Sequence, residues 1–203
     1  MEESSVSKRY ELVVIGGSAG SLDVILKVLP NLKENLQLSI VVVLHRKSDS
    51  DSALSNLLMT RTRLRVKEAE EKEYIKPGCI YIAPADYHLL IEKDHCFSLD
   101  YSEKINYSRP SIDATFETAA DAFGPSLVCL LLSGANADGV NGLRAVNSKE
   151  GITAVQDPAT AEVPFMPQQA LLSMPIDHVL AVEQIADFIN DLPQSAEESK
   201  MPV

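Results

Sequence analysis

Residues 13–29 read VVIGGSAGSLDVILKVL, and their reading decides the fold. A β-branched apolar run meets a Gly-Gly-Ser-Ala-Gly turn, after which Leu22, Ile25, Leu26 and Leu29 recur at helical spacing. This is a buried strand, a sharp turn and a helix, with Ser21 placed to cap the helix start. Ser18 sits at the point of the turn. Glycines before a helix N-terminus also make an anion site, so a phosphate loop is one reading. However, the stretch from Gly16 to Ser21 fits neither G-x-G-x-x-G nor the Walker pattern with its lysine. A nucleophile at the turn is the other reading, with the helix N–H groups serving a transient oxyanion.

The same alternation runs outward from this stretch. SIVVVLH (39–45) and SLVCLLLSG (126–134) are further apolar runs of the kind found in parallel sheets covered by helices on both faces. Helices are expected at 49–62, with Ala53, Leu57 and Leu58 on one face, and at 111–124, from about 140 to 148, near Pro167 and at 183–192. Short strands are expected in 66–100, including an antiparallel hairpin, about 88–92 with 96–100, near a sheet edge. Further short strands are expected at 153–157 and 179–182. The charged run from Lys67 to Glu73 reads as a solvated turn. The fold class is α/β: a doubly wound, mostly parallel sheet in a three-layer αβα sandwich.

Composition narrows the function. The chain has 203 residues, enough for one domain with a full core. Its 18 basic and 29 acidic residues give a net charge of −11, which disfavours nucleic acid or an anionic membrane surface. No apolar run is long enough to span a membrane, and the N-terminus lacks a signal-peptide core, which points to the cytoplasm. Cys79, Cys96 and Cys129 are scattered without a CxxC and read as buried free thiols, with no metal site expected.

In an open parallel sheet, ligands bind beyond the carboxyl ends of the strands. Ser18 follows the first strand, His45 ends the second, and Asp138 lies in the loop after SLVCLLLSG. A serine needs a base to take its proton, a histidine can do so near neutral pH, and a carboxylate can orient the imidazole. Each has a plainer reading as well: His45 as a strand-end structural histidine, Asp138 as an Asp-Gly turn residue. His88 is a second candidate base, whereas His95 and His178 fall in polar turns expected to face solvent.

At this level the chain resembles the catalytic domain of the CheB family, the chemotaxis protein-glutamate methylesterases and protein-glutamine deamidases. The markers are IGGSAG (15–20), LH (44–45), PGCIYIAPADYHL (77–89), RPSID (109–113), LSGANADGVNGL (132–143) and AVQDPATAEVPFMPQQAL (154–171). The resemblance implies a domain over 11–192; the flanks are expected to be a disordered segment (1–10) and a polar tail (193–203), and the receiver domain that the family normally carries is not expected in this chain. It implies Ser18 as nucleophile, His45 as base, Asp138 as its support and the backbone N–H groups of Ala19 and Ala135 as oxyanion donors. It implies no cofactor, and as partner the methylated helical bundle of a chemoreceptor, with room for a regulatory partner in trans. Two departures stand out: Ser21 replaces the last glycine of the family turn, and Ala135 replaces a methionine of the family loop. A non-catalytic regulatory module on the same fold and a hydrolase of a different ester are the competing readings.

Overall fold

The computed structural model describes residues 8–46, 51–105 and 107–194, with the side chains of 51 and 52 set aside. The expectations for 1–7, the start of the second helix at 49–50, and the tail from 195 lie outside the described residues. Seven parallel strands form one sheet: β1 (Leu12–Gly17), β2 (Ser39–Leu44), β3 (Arg65–Glu68), β4 (Cys79–Ile82), β7 (Leu127–Leu131), β8 (Ile152–Gln156) and β9 (His178–Leu180). Their spatial order is β3-β4-β2-β1-β7-β8-β9. The chain therefore winds one way from β1 to β2 and the other way from β7 to β8, and the switch point falls between β1 and β7. β5 (His88–Ile91) and β6 (Phe97–Asp100) pair antiparallel in a sheet of their own.

Helices cover both faces. α1 (Ser21–Val28), α2 (Asp51–Met59) and α6 (Val182–Asp191) pack on one face, with Ile25, Leu58 and Ile189 against Val13, Val42 and Leu130. α3 (Ile112–Phe123), α4 (Val140–Ser148) and α5 (Phe165–Ser173) pack on the other, with Phe116, Leu143 and Met166 against Val14, Val43 and Leu131. Adjacent residues of one strand thus serve opposite cores. This is why the central strands read as continuous apolar runs.

The expected antiparallel hairpin is present, and its Leu89, Ile91 and Phe97 join the core on the α3 side. Several expectations need correction. Lys67 and Glu68 belong to edge strand β3, and Lys67 bridges Glu70 and Glu73, so only the rest of that charged run is turn. On α2 it is Leu54 and Leu58 that reach the core; Ala53 is exposed and Leu57 half-buried. Residues 8–10 and 193–194 are tied into the fold, for Tyr10 is buried, its N–H donates to Pro193 O, and Gln37 N–H donates to Gln194 Oε1. His95 stacks on Phe123, and His178 lies in β9 against Phe188. The three cysteines are free and buried, as expected.

Candidate active site

The register of the central strands aligns Gly17 with Leu44, and Gly16 with both Val43 and Leu131. The ladder continues one step beyond the strands. His45 N–H donates to Gly17 O at 3.2 Å, and Ser18 N–H donates to Ser133 O at 2.9 Å. Main-chain bonds therefore fix Ser18 and His45 side by side at the carboxyl ends of β1 and β2. Gly20 then turns the chain with φ 78°, a left-handed conformation that costs glycine little. Gly20, not Ser21, is the N-cap of α1. Ser21 is the first helical residue, and both its N–H and its hydroxyl turn back onto Ser18 O.

His45 and Asp138 meet. His45 Nε2 lies 2.8 Å from Asp138 Oδ2, and the Asp138 side chain is fully buried. An ionised carboxylate only accepts, so Nε2 carries the proton and Nδ1 keeps its lone pair. The ring nitrogen left able to accept a proton is thus Nδ1. Ser108 Oγ faces it at 3.4 Å, and Asn136 Nδ2 donates to the same hydroxyl at 3.4 Å. Asn136 Oδ1 in turn accepts from Asp138 N–H at 3.1 Å.

The Asp138 carboxylate sits at the N-terminus of α3. It accepts from Ile112 N–H at 2.8 Å, Asp113 N–H at 3.0 Å and Ser111 Oγ at 3.0 Å, besides His45. Burial pushes this carboxyl up, but the His45 bond and the α3 N–H donors outweigh it and hold it below the usual aspartate range. Ser111 caps α3, accepting from Ala114 N–H. Its own N–H donates to Nδ1 of His88 at 3.1 Å, and His88 Nε2–H donates to Glu103 O at 3.0 Å. His88 is therefore a buried strut behind the cradle, not a second base.

Ser18 is half-buried and stands differently. Among the described residues no group hydrogen-bonds its hydroxyl. It shares a cavity of about 290 Å³ with His45, Arg46, Leu22, Leu44, Ala53, Leu54 and Leu57. Arg46 is held at the rim by Glu68 Oε1 at 2.6 Å and Ala83 O at 3.1 Å. On its other side the chain at Gly134 passes close: a Cβ there would lie 3.0 Å from Ser18 Cβ and 2.5 Å from Met166 Cε, so a larger residue would have to displace the end of the Met166 side chain and crowd Ser18. Ala19 and Ala135 flank this approach, both exposed. Among the described residues neither backbone N–H has an acceptor, whereas the Ser18 N–H is used by Ser133.

The sequence reading missed Ser108, Asn136 and Ser111. Ser111 was within reach, because a serine opening an apolar-periodic run is a cap signal. Nothing in sequence order links Ser108 to His45. The described residues hold no cluster of His, Cys, Asp and Glu suited to a metal, and no helix long and apolar enough to cross a membrane.

A doubly wound α/β domain with a histidine on a buried aspartate, beside a serine at its switch point, has the equipment of a hydrolase. The family described as CheB methylesterase matches residues 13–189. The Thermotoga maritima protein-glutamate methylesterase/protein-glutamine glutaminase is 35% identical over 185 residues, covering 90% of this chain and 54% of its own length. A Leptospira interrogans protein, provisionally given the same double name, is 43% identical over 191 residues, 94% of this chain and 99% of its own. The crystal structure of the Thermotoga maritima CheB methylesterase catalytic domain superposes with a TM-score of 0.86 at 34% identity, covering 90% of this chain and 98% of that one. The chain belongs to the CheB methylesterase family.

Proposed function

We propose that this domain, residues 11–192, removes methyl esters from glutamate side chains with Ser18 as nucleophile, His45 as base and Asp138 as its support. The single observation that carries the reading is the His45–Asp138 pair, which leaves Nδ1 able to accept a proton on a ring that lines the same cavity as Ser18. Ser18 Oγ attacks the γ-carbonyl while its proton passes to Nδ1. The oxyanion takes the N–H groups of Ala19 and Ala135, both without a competing acceptor among the described residues. The tetrahedral intermediate collapses, and His45 returns the proton to the departing methanol. Water then attacks the glutamyl-serine ester, with His45 as base again, to restore Ser18 and release the carboxylate. A glutamine side chain follows the same course with ammonia leaving. These residues supply each proton transfer, so the scheme calls for no metal or organic cofactor.

The partner in this reading is the methylated helical bundle of a chemoreceptor, met in the cytoplasm in the course of chemotaxis, with regulation in trans. The test is methanol release from methylated receptor by wild type beside Ser18→Ala. The alanine variant should fold and lose turnover by several orders of magnitude. Retention of more than about a tenth of wild-type kcat would remove Ser18 from this role, since ~1.4 kcal/mol is too little for a nucleophile. The contact between Ser108 Oγ and Nδ1 favours one second reading, with Ser108 as the attacking hydroxyl. A serine-directed phosphonate separates the two by the residue it labels.

A further inference from the structure

Asp113 is a buried acid with no part in the proton transfers above. Its Oδ1 accepts from Gly139 N–H at 2.9 Å and from Gly142 N–H at 2.8 Å. Gly139 is the N-cap of α4 and has no side chain to satisfy the orphan donors of the first turn. Asp113 reaches across from α3 and does what a capping side chain does, holding the N-cap and the third helical residue together. The two acids thus cap each other's helices. Asp138, directly before Gly139, closes the N-terminus of α3; Asp113, in the first turn of α3, closes the N-terminus of α4. The helices are also pressed together here, because a Cβ on Gly142 would lie 2.5 Å from Phe116 Cβ and 3.2 Å from Asp113 Cα.

We infer that Asp113 is a positioning residue for the His45–Asp138 pair: by pinning Gly139 and the first turn of α4 to α3, it fixes where the Asp138 carboxylate meets Nε2 of His45. The clamp is short. The pinned Gly139 follows the acid directly, and the same Asp113 gives its backbone N–H to Asp138 Oδ1 at 3.0 Å. A shift of Gly139 carries Asp138 with it, and misplacement by about an ångström can cost on the order of a hundredfold in rate. Burial pushes the Asp113 carboxyl up to about 6; the Gly142 and Gly139 N–H bonds oppose this, while the charges of Asp138 and Glu117 add to it. A charge kept in so adverse a place fits a role that needs a strong acceptor.

The inference rests on the reading that Asp138 supports His45 in ester hydrolysis, so the test needs a signal independent of turnover. The proton on His45 Nε2, bonded to a buried carboxylate, gives a downfield proton NMR resonance. In Asp113→Asn, which keeps one oxygen but loses the charge, that resonance should move upfield, and kcat for methanol release from methylated receptor should fall about 5-fold with KM unchanged. In Asp113→Ala the resonance should broaden away and kcat should fall about 50-fold, again at constant KM. If Asp113→Ala does not fold, Asp113→Asn decides. A folded variant with the resonance and kcat both unmoved overturns the inference, as does loss of thermal stability with an unmoved resonance. If wild type releases no methanol but the resonance moves in Asp113→Asn, the positioning role stands and the esterase reading falls.

Discussion

The two sides of the site are built in opposite ways. On the Asp138 side the acid is fully buried, its oxygens accept from four donors, and His88, Ser111, Asp113 and Asn136 stand behind it. On the Ser18 side the backbone is tied down at one N–H and one carbonyl, while the hydroxyl faces an apolar cavity without a partner among the described residues. The polar network holds the two groups that, in the proposed scheme, keep one geometry through the cycle. In the proposed scheme the sparse side is where the substrate carbonyl enters, the alcohol departs and a water follows. Preorganisation and access are thus divided between the C-terminal ends of neighbouring strands.

Substitutions can break this contrast. Ser18→Ala should cut ester turnover by about 10⁴-fold or more and change unfolding free energy by less than about 0.5 kcal/mol, as measured by methanol release and urea titration. Asp138→Ala should reverse the balance on the stability side. It strands the N–H groups of Ile112 and Asp113, the Ser111 hydroxyl and the His45 ring, and should cost on the order of 3 kcal/mol in the same titration. If both variants lose equal stability, the division between rigid and open halves is wrong.

Titration sharpens it further. Asp113 moves from its ordinary 3.8 to about 6 on folding, so between those values the native state holds a proton that the unfolded chain has released. Raising the pH through that window removes this advantage, and above about pH 6 the charged Asp113 opposes folding by up to about 3 kcal/mol. Asp138 behaves the other way. Its lowered carboxyl contributes stability above the unfolded pKa and loses it as pH falls through the folded one. The stability of Asp113→Asn relative to wild type should therefore improve by up to about 3 kcal/mol between pH 4 and pH 7.5. A pH-independent gap would refute the raised carboxyl.

Smaller effects follow at the margins. His88→Ala removes the acceptor for Ser111 N–H and should cost about 1–3 kcal/mol, with a milder loss of kcat than Asp138→Ala. Ala53→Phe fills part of the cavity beside Ser18. It should raise KM for a bulky aryl ester several-fold while leaving stability within about 0.5 kcal/mol.

Much of this architecture was written in local pattern. The runs at 12–17, 39–44 and 127–131 are apolar on both faces because both faces are covered, and that alone implies a parallel sheet. The positions of Ser18, His45 and Asp138 after those runs followed from the rule that sites lie at strand carboxyl ends. β3 and the detached hairpin were harder. Four-residue strands carry too little periodicity to say which sheet they join, and Lys67 and Glu68 look like turn residues because β3 is an edge. The α2 face was misread because Leu54 and Leu58 point to the core while Ala53 and Leu57 line the cavity, so all four satisfy a helical apolar spacing. Ser21 looked like a cap because serine is favoured there, but the left-handed turn needs glycine one position earlier. His88, Ser108 and Asn136 were illegible as a group, for their partners are brought to them only by the tertiary fold.

The strand order also governs how the chain can come together. β1 is made first, yet it lies between β2 and β7, and β7 begins at Leu127. During synthesis, more than half of the chain must emerge before the second neighbour of β1 exists. Until then one edge of a strand that is fully buried in the finished fold is bare, a template for pairing with another nascent chain. The site inherits the same schedule, since Ser18 and His45 can approach once β1 and β2 pair but the carboxylate arrives only behind β7. A fold so dominated by distant contacts closes slowly. Its activity therefore reports on the completeness of the whole sheet rather than on any one segment of it.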